Sequence, residues 1–177
     1  MFPSASQPPA LSHIPGRTYT RIPQRIYKST SRAPPPPARQ SPCRCIEFHR
    51  AGESQPGMSL KELLGRSGYS LMYGAREAVF NKSGLVQVKL RVLWPGYDHV
   101  DWVRRIELQT AYGPMTRGQL AQAVASHLVK YFEEFQNQPI QPKDARWRLS
   151  PQVLDRLAVA SVWNVCEDTW MAEFLLE

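Results

Sequence analysis

The chain has 177 residues, 42% of them hydrophobic and 21% charged, with 16 prolines and a formal charge of +7. No run of about 18 apolar residues occurs, which excludes a spanning helix, and the opening Met1-Phe2-Pro3-Ser4 lacks the charged and then apolar stretch of a secretory signal. Three cysteines are too few for a disulfide framework and fit a reducing compartment.

Proline and charge are unevenly placed. Residues 1–57 hold 11 of the prolines and eight Lys/Arg against two acids, a charge of +6, with only 17 apolar residues. Residues 58–177 hold 58 apolar residues, all five Trp and a charge of +1. A stretch so poor in apolar side chains cannot offset an ordering entropy of about 1–2 kcal/mol per residue. The expectation is a disordered basic tail over 1–57, followed by a single compact domain over 58–177.

Along the domain, Ser59-Leu60-Lys61-Glu62 has capping-box spacing and predicts a short helix near 60–66. Asn81-Lys82-Ser83-Gly84 is turn chemistry. Val86, Val88, Leu90 and Val92 alternate with Gln87, Lys89 and Arg91, the period of a half-buried strand. Trp94-Pro95-Gly96-Tyr97 ends it. A second strand over 102–109 sets Trp102, Arg104, Ile106 and Leu108 opposite Val103, Arg105, Glu107 and Gln109, and the two pair as an antiparallel hairpin.

Thr116 with Gln119 then caps a long amphipathic helix over about 117–136, whose stripe includes Leu120, Ala121, Val124, Ala125, Leu128 and Phe132. Ser150-Pro151 opens a second helix, with Leu154, Leu157, Ser161 and Val165 facing inward. Trp170, Ala172, Phe174 and Leu176 alternate as a last strand. The sum is α+β: a small antiparallel sheet, made of the hairpin and the C-terminal strand, with two amphipathic helices packed on one face. The other face, carrying Lys89, Arg91, Arg105, Glu107 and Glu173, reads as solvated.

Few residues suggest chemistry. Cys43, Cys45 and His49 are close enough to suggest zinc, but the cysteine spacing is too short and a fourth ligand is missing. Asp98-His99-Val100-Asp101 has groups for acid–base work, but polar residues belong in a loop between two strands anyway, and a solvated turn is the better explanation. A thiol nucleophile at Cys166 needs His99 or His127 beside it. No metal or cofactor is expected.

The tail offers binding patterns instead. Arg17, Arg21, Arg25, Lys28 and Arg32 recur every three or four residues and suit salt-sensitive contact with nucleic acid. Pro34, Pro37 and Arg39 fit a PxxPxR ligand for an SH3-type domain, on a preformed polyproline II stretch. The first 46 residues carry no acid, as mitochondrial presequences do, so import stands as the alternative to a cytoplasmic or nuclear location.

Leu93-Trp94-Pro95-Gly96-Tyr97, Trp102, Ile106, Gly113-Pro114-Met115-Thr116-Arg117, Arg146-Trp147-Arg148 and Trp170-Met171-Ala172 together resemble a lineage-expanded family of uncharacterised proteins of mushroom-forming (basidiomycete) fungi. The resemblance spans roughly 85–177, implies an intracellular protein and transfers no activity or site residue. The leading functional expectation is a non-catalytic protein-interaction or regulatory module with an unknown protein partner and no membrane contact. Nucleic-acid binding through the tail and an enzyme using Asp98–Asp101 with Cys166 are the alternatives.

Overall fold

The structure, a computed structural model, describes residues 19–28, 45–81 and 83–177. Three short strands come first: β1 (Thr20–Arg21), β2 (Cys45–Glu47) and β3 (Met58–Ser59). They correct the expected boundary at 57/58, because two of them lie in the presumed tail. Ile22, Ile46 and Phe48 are buried in the main core. The composition argument assumed that the segment must bury its own apolar surface. It instead inserts a few residues into a core built by the rest of the chain, so a low apolar fraction suffices.

The capping boxes form as their spacing requires. Ser59 and Glu62 cap α1 (Leu60–Leu64) reciprocally, and α2 (Gly68–Leu71) follows after one turn. The hairpin is β4 (Gln87–Val92) with β5 (Trp102–Glu107), in the register Val88↔Ile106 and Val92↔Trp102. A two-residue ladder, β6 (Gln109–Thr110) with β7 (Gly113–Pro114), precedes the long helix. That helix is α3 (Arg117–Phe135), capped at Thr116 with Gln119 answering, and it buries Leu120, Ala121, Val124, Ala125, Leu128 and Phe132. A 3-10 helix spans Pro142–Trp147.

The expected second helix is corrected. Its start is right: Ser150 Oγ accepts from the Val153 amide at 3.3 Å, and Pro151 holds the first position. But α4 (Pro151–Asp155) stops after five residues, and the chain continues as β8 (Leu157–Cys166), which forms a hairpin with β9 (Thr169–Leu176). Every residue from Leu157 to Trp163 is buried. A strand covered on both faces has a continuous apolar run rather than alternation. A bulge then mimics a helix. Val159 pairs with Phe174 and Ser161 with Glu173, so Ala160 is extra. Its insertion resets the alternation, and Val159 and Val162, three apart, join the same core.

The main sheet therefore has seven strands rather than three, in the order β2-β8-β9-β4-β5, with β3 also on β8 and β1 also on β9. It is mixed, since β4 runs parallel to β9 in the register Leu90↔Trp170. Trp94 anchors the core on the α3 side, edge-on to Phe132 at 5.2 Å and donating Nε1–H to the Trp147 carbonyl at 2.7 Å. Tyr97 accepts from the Leu149 amide at 3.2 Å. Gly96 has φ +83°, and a Cβ there would stand 2.6 Å from Ile140, so the chain crosses closely only as glycine.

Along one edge of β9 the partner changes. β4 pairs with residues 169–171 and β1 with 175–176. The gap is filled by a side chain. Gln24 donates Nε2–H to the Ala172 carbonyl at 2.6 Å and accepts from the Leu93 amide at 3.3 Å. Its carboxamide acts as one peptide unit of an absent strand. Gln24→Ala strands a carbonyl and an amide and should lower stability by about 1–3 kcal/mol. Urea unfolding should show a lower midpoint at unchanged slope; an unchanged midpoint means the bridge contributes nothing.

Candidate functional site

A depression of about 120 Å³ opens where α1 and α2 meet the start of α3. Leu63 and Met72, both buried, line it together with Tyr69, Gln122, Arg66 and three glycines. Its shape depends on Gly118: a Cβ there would lie 2.5 Å from the Tyr69 ring. The Tyr69 and Thr116 hydroxyls share a hydrogen bond of 2.8 Å, so the residue that caps α3 also fixes the ring.

Two further large apolar side chains are exposed on the same segments. Leu64 is 43% exposed and Tyr73 69%. The nearby acids are tied up within the chain. Arg50 pairs with Glu62 and, at 3.7 Å, with Glu53, while Arg117 holds Glu77 at 2.7 Å. The side chains of exposed Lys61, Arg66 and Arg76 make no ion pair or hydrogen bond among the described residues. The first amides of α3 are occupied as well. Arg117 N–H donates to the Glu77 carbonyl at 2.8 Å and Gly118 N–H to the Ala75 carbonyl at 2.9 Å. The site therefore offers an apolar recess and separated side-chain cations, but no cradle of free backbone donors for a phosphate.

The groups singled out from the sequence do not assemble into a catalytic set. Asp98 pairs with Arg25 at 3.0 Å and accepts from Gln141 at 3.4 Å. Asp101 pairs with Arg91. His99 is exposed. Cys166 lies elsewhere on the sheet: it pairs with Thr169, which pairs with Lys89, whereas Trp102, next to Asp101, pairs with Val92. Three residues along a strand and three strand spacings, β8 to β9 to β4 to β5, separate them by roughly 17 Å. Burial pushes the Cys166 thiol up, with Glu167 and Asp168 adding to the effect and a hydrogen bond from Thr169 opposing it. That is the opposite of activation. His127, half-buried against Trp102, is pushed down by burial and by the charges of Lys130 and Arg104.

Two of the five basic candidates are engaged within the fold. Arg21 forms an ion pair with Glu173, and Arg25 with Asp98, so neither is a free phosphate contact. Lys28 is exposed. Arg17, Arg32, Pro34, Pro37, Arg39 and Cys43 lie outside the described residues. Cys45 is exposed in β2, and His49 Nε2 meets Glu47 Oε2 at 2.9 Å.

Glu173 corrects the expectation of a solvated sheet face. It is 4% exposed. Arg21 pairs with it from β1, and Ser161 Oγ donates to its carboxylate at 3.2 Å. Burial pushes its carboxyl above the ordinary 4.5; Arg21 and Ser161 pull it back only in part, and Glu47 adds to the rise. Sequence reading missed both this residue's burial and the Tyr69–Tyr73 surface. The latter had a signal: two tyrosines four apart, bracketed by Gly68 and Gly74.

No protein-family model, curated protein or solved structure matches the chain.

Two measurements check this geometry. Because the folded state binds the Glu173 proton more tightly than the unfolded state, this group contributes stability that grows as pH falls through its raised value toward 4.5. The unfolding free energy of the wild type minus that of Glu173→Gln should rise as the pH is lowered from neutral toward 4.5; a difference that shrinks means the Arg21 pair outweighs burial. Thr116→Ala should cost about 1–2 kcal/mol by thermal or urea unfolding, while Thr116→Ser keeps the cap and most of the stability.

Proposed function

We propose that the chain is a non-catalytic protein-interaction or regulatory module that engages a partner through the face formed by α1, α2 and the start of α3. The observation that carries this reading is the coincidence of exposed Leu64 and Tyr73 with a preformed recess and with three cations, Lys61, Arg66 and Arg76, that have no ion pair among the described residues. Aromatic and apolar side chains around a recess are the composition of an interface centre rather than of ordinary surface. Preorganisation strengthens the argument, since Tyr69 is already fixed by Thr116 and Gly118 and loses little entropy on binding.

The dispersal of the acid–base candidates favours this reading over an enzyme. The internal pairing of Arg21 and Arg25 favours it over a nucleic-acid arm. Resemblance to the fungal family is consistent with an intracellular module, in the cytoplasm or nucleus, and supplies no activity of its own. No helix among the described residues is long and apolar enough to cross a membrane.

The test is amine crosslinking in cells of the parent organism. Lys61, exposed on α1 one turn before Leu64, reports on the face. The wild type should give partner crosslinks through Lys61 that disappear in Leu64→Glu/Tyr73→Asp, a variant whose unfolding midpoint should match the wild type because both side chains are exposed. Partner crosslinks that survive the double substitution would place the interface elsewhere.

A further inference from the structure

We infer that the α1–α2–α3 recess is a docking site for an acidic peptide that inserts one aliphatic side chain, an inference that depends on the interaction face proposed above. Size sets the anchor. A cavity of about 150 Å³ accommodates a benzene, so 120 Å³ between Leu63, Met72 and Tyr69 suits a single leucine, isoleucine or methionine and is too small for an indole.

Charge sets the flanks. Lys61 lies on α1, Arg66 between α1 and α2, and Arg76 beyond α2. Among the described residues none has an anionic partner, whereas Glu53, Glu62 and Glu77 are held by Arg50 and Arg117. Arg66 lines the recess, Arg76 follows Ala75, whose carbonyl holds the Gly118 amide at its wall, and Lys61 stands beside exposed Leu64, so carboxylates spaced along a peptide that crosses the recess meet cations on successive segments. A concentrated phosphate would need donors converging on one point, and the α3 amides that could supply them are already bonded to Glu77, Ala75 and Thr116. A stacked base would need a free aromatic face inside the recess, but the Tyr69 ring packs against Gly118. Gln122, exposed at the wall, supplies a carboxamide that can bond to a peptide backbone.

The experiment selects a phage-displayed random dodecapeptide library on the immobilised full chain, with Arg66→Glu and Gln122→Trp as counter-targets. Both positions are exposed, so the variants should keep the wild-type unfolding midpoint. The expected result is a set of peptides with acidic residues on both sides of one aliphatic residue. Their binding, measured by fluorescence anisotropy, should fall about tenfold or more on each variant, which corresponds to about 1.4 kcal/mol. Displacement by a charge-matched oligothymidine but not by excess unlabelled peptide would overturn the inference in favour of phosphate. Peptides blocked by Gln122→Trp but lacking acidic excess overturn the acidic ligand and leave the interaction face standing. Equal enrichment on the wild type and both variants overturns both.

Discussion

Burial of β8 on both faces is the constraint around which the molecule is arranged. Seven consecutive residues, Leu157 to Trp163, are withdrawn from water. One side is covered by α3 and the aromatic group around Trp94. The other is polar at Ser161 and Glu173, and burying a carboxylate is costly unless it is paired. The pairing group, Arg21, comes from more than a hundred residues away in the sequence. The same strand takes β2 and β3 along its free edge. The N-terminal segments are thus needed to complete the sheet and to neutralise a charge at its centre.

Much of the local structure was legible in the sequence because its causes are local. The Ser59–Glu62 and Thr116–Gln119 boxes are three residues apart and form as written. The hairpin of β4 and β5 was legible because alternation over six residues has one explanation, and the final strand for the same reason. The rest depended on distant partners. Val159 and Val162 have helical spacing only because Ala160 bulges, and the bulge is set by pairing with β9. Residues 19–28 and 45–57 look unable to fold because their apolar residues are few; what they bury is buried in someone else's core.

The site divides in the same way. The acid, base and thiol groups were visible as residue types, but their reach was not. Asp98 and Asp101 turn out to tie a loop to Arg25 and Arg91. Conversely, the recess beside Tyr69 arises from an absence, the missing Cβ of Gly118, in a helix whose sequence advertises only its apolar stripe. Exposure of Leu64 and Tyr73 is likewise a property of tertiary placement.

The amide of Gln24 bridging to Ala172 spans a sequence separation of 148 residues. On a ribosome that separation becomes a waiting time. β1 and the Gln24 side chain emerge early, and both of the central strands they need, directly or through the sheet, are made near the end of the described chain. β2 and β3 wait for β8, and β4 acquires its parallel neighbour only when β9 appears. The nascent chain can close only local structure: the β4–β5 hairpin, the β6–β7 ladder and its helices. Loop closure of this length makes sheet assembly a late and slow step. Until then the early segments remain unpaired, with Ile22, Ile46 and Phe48 open to water and to whatever holds a growing chain.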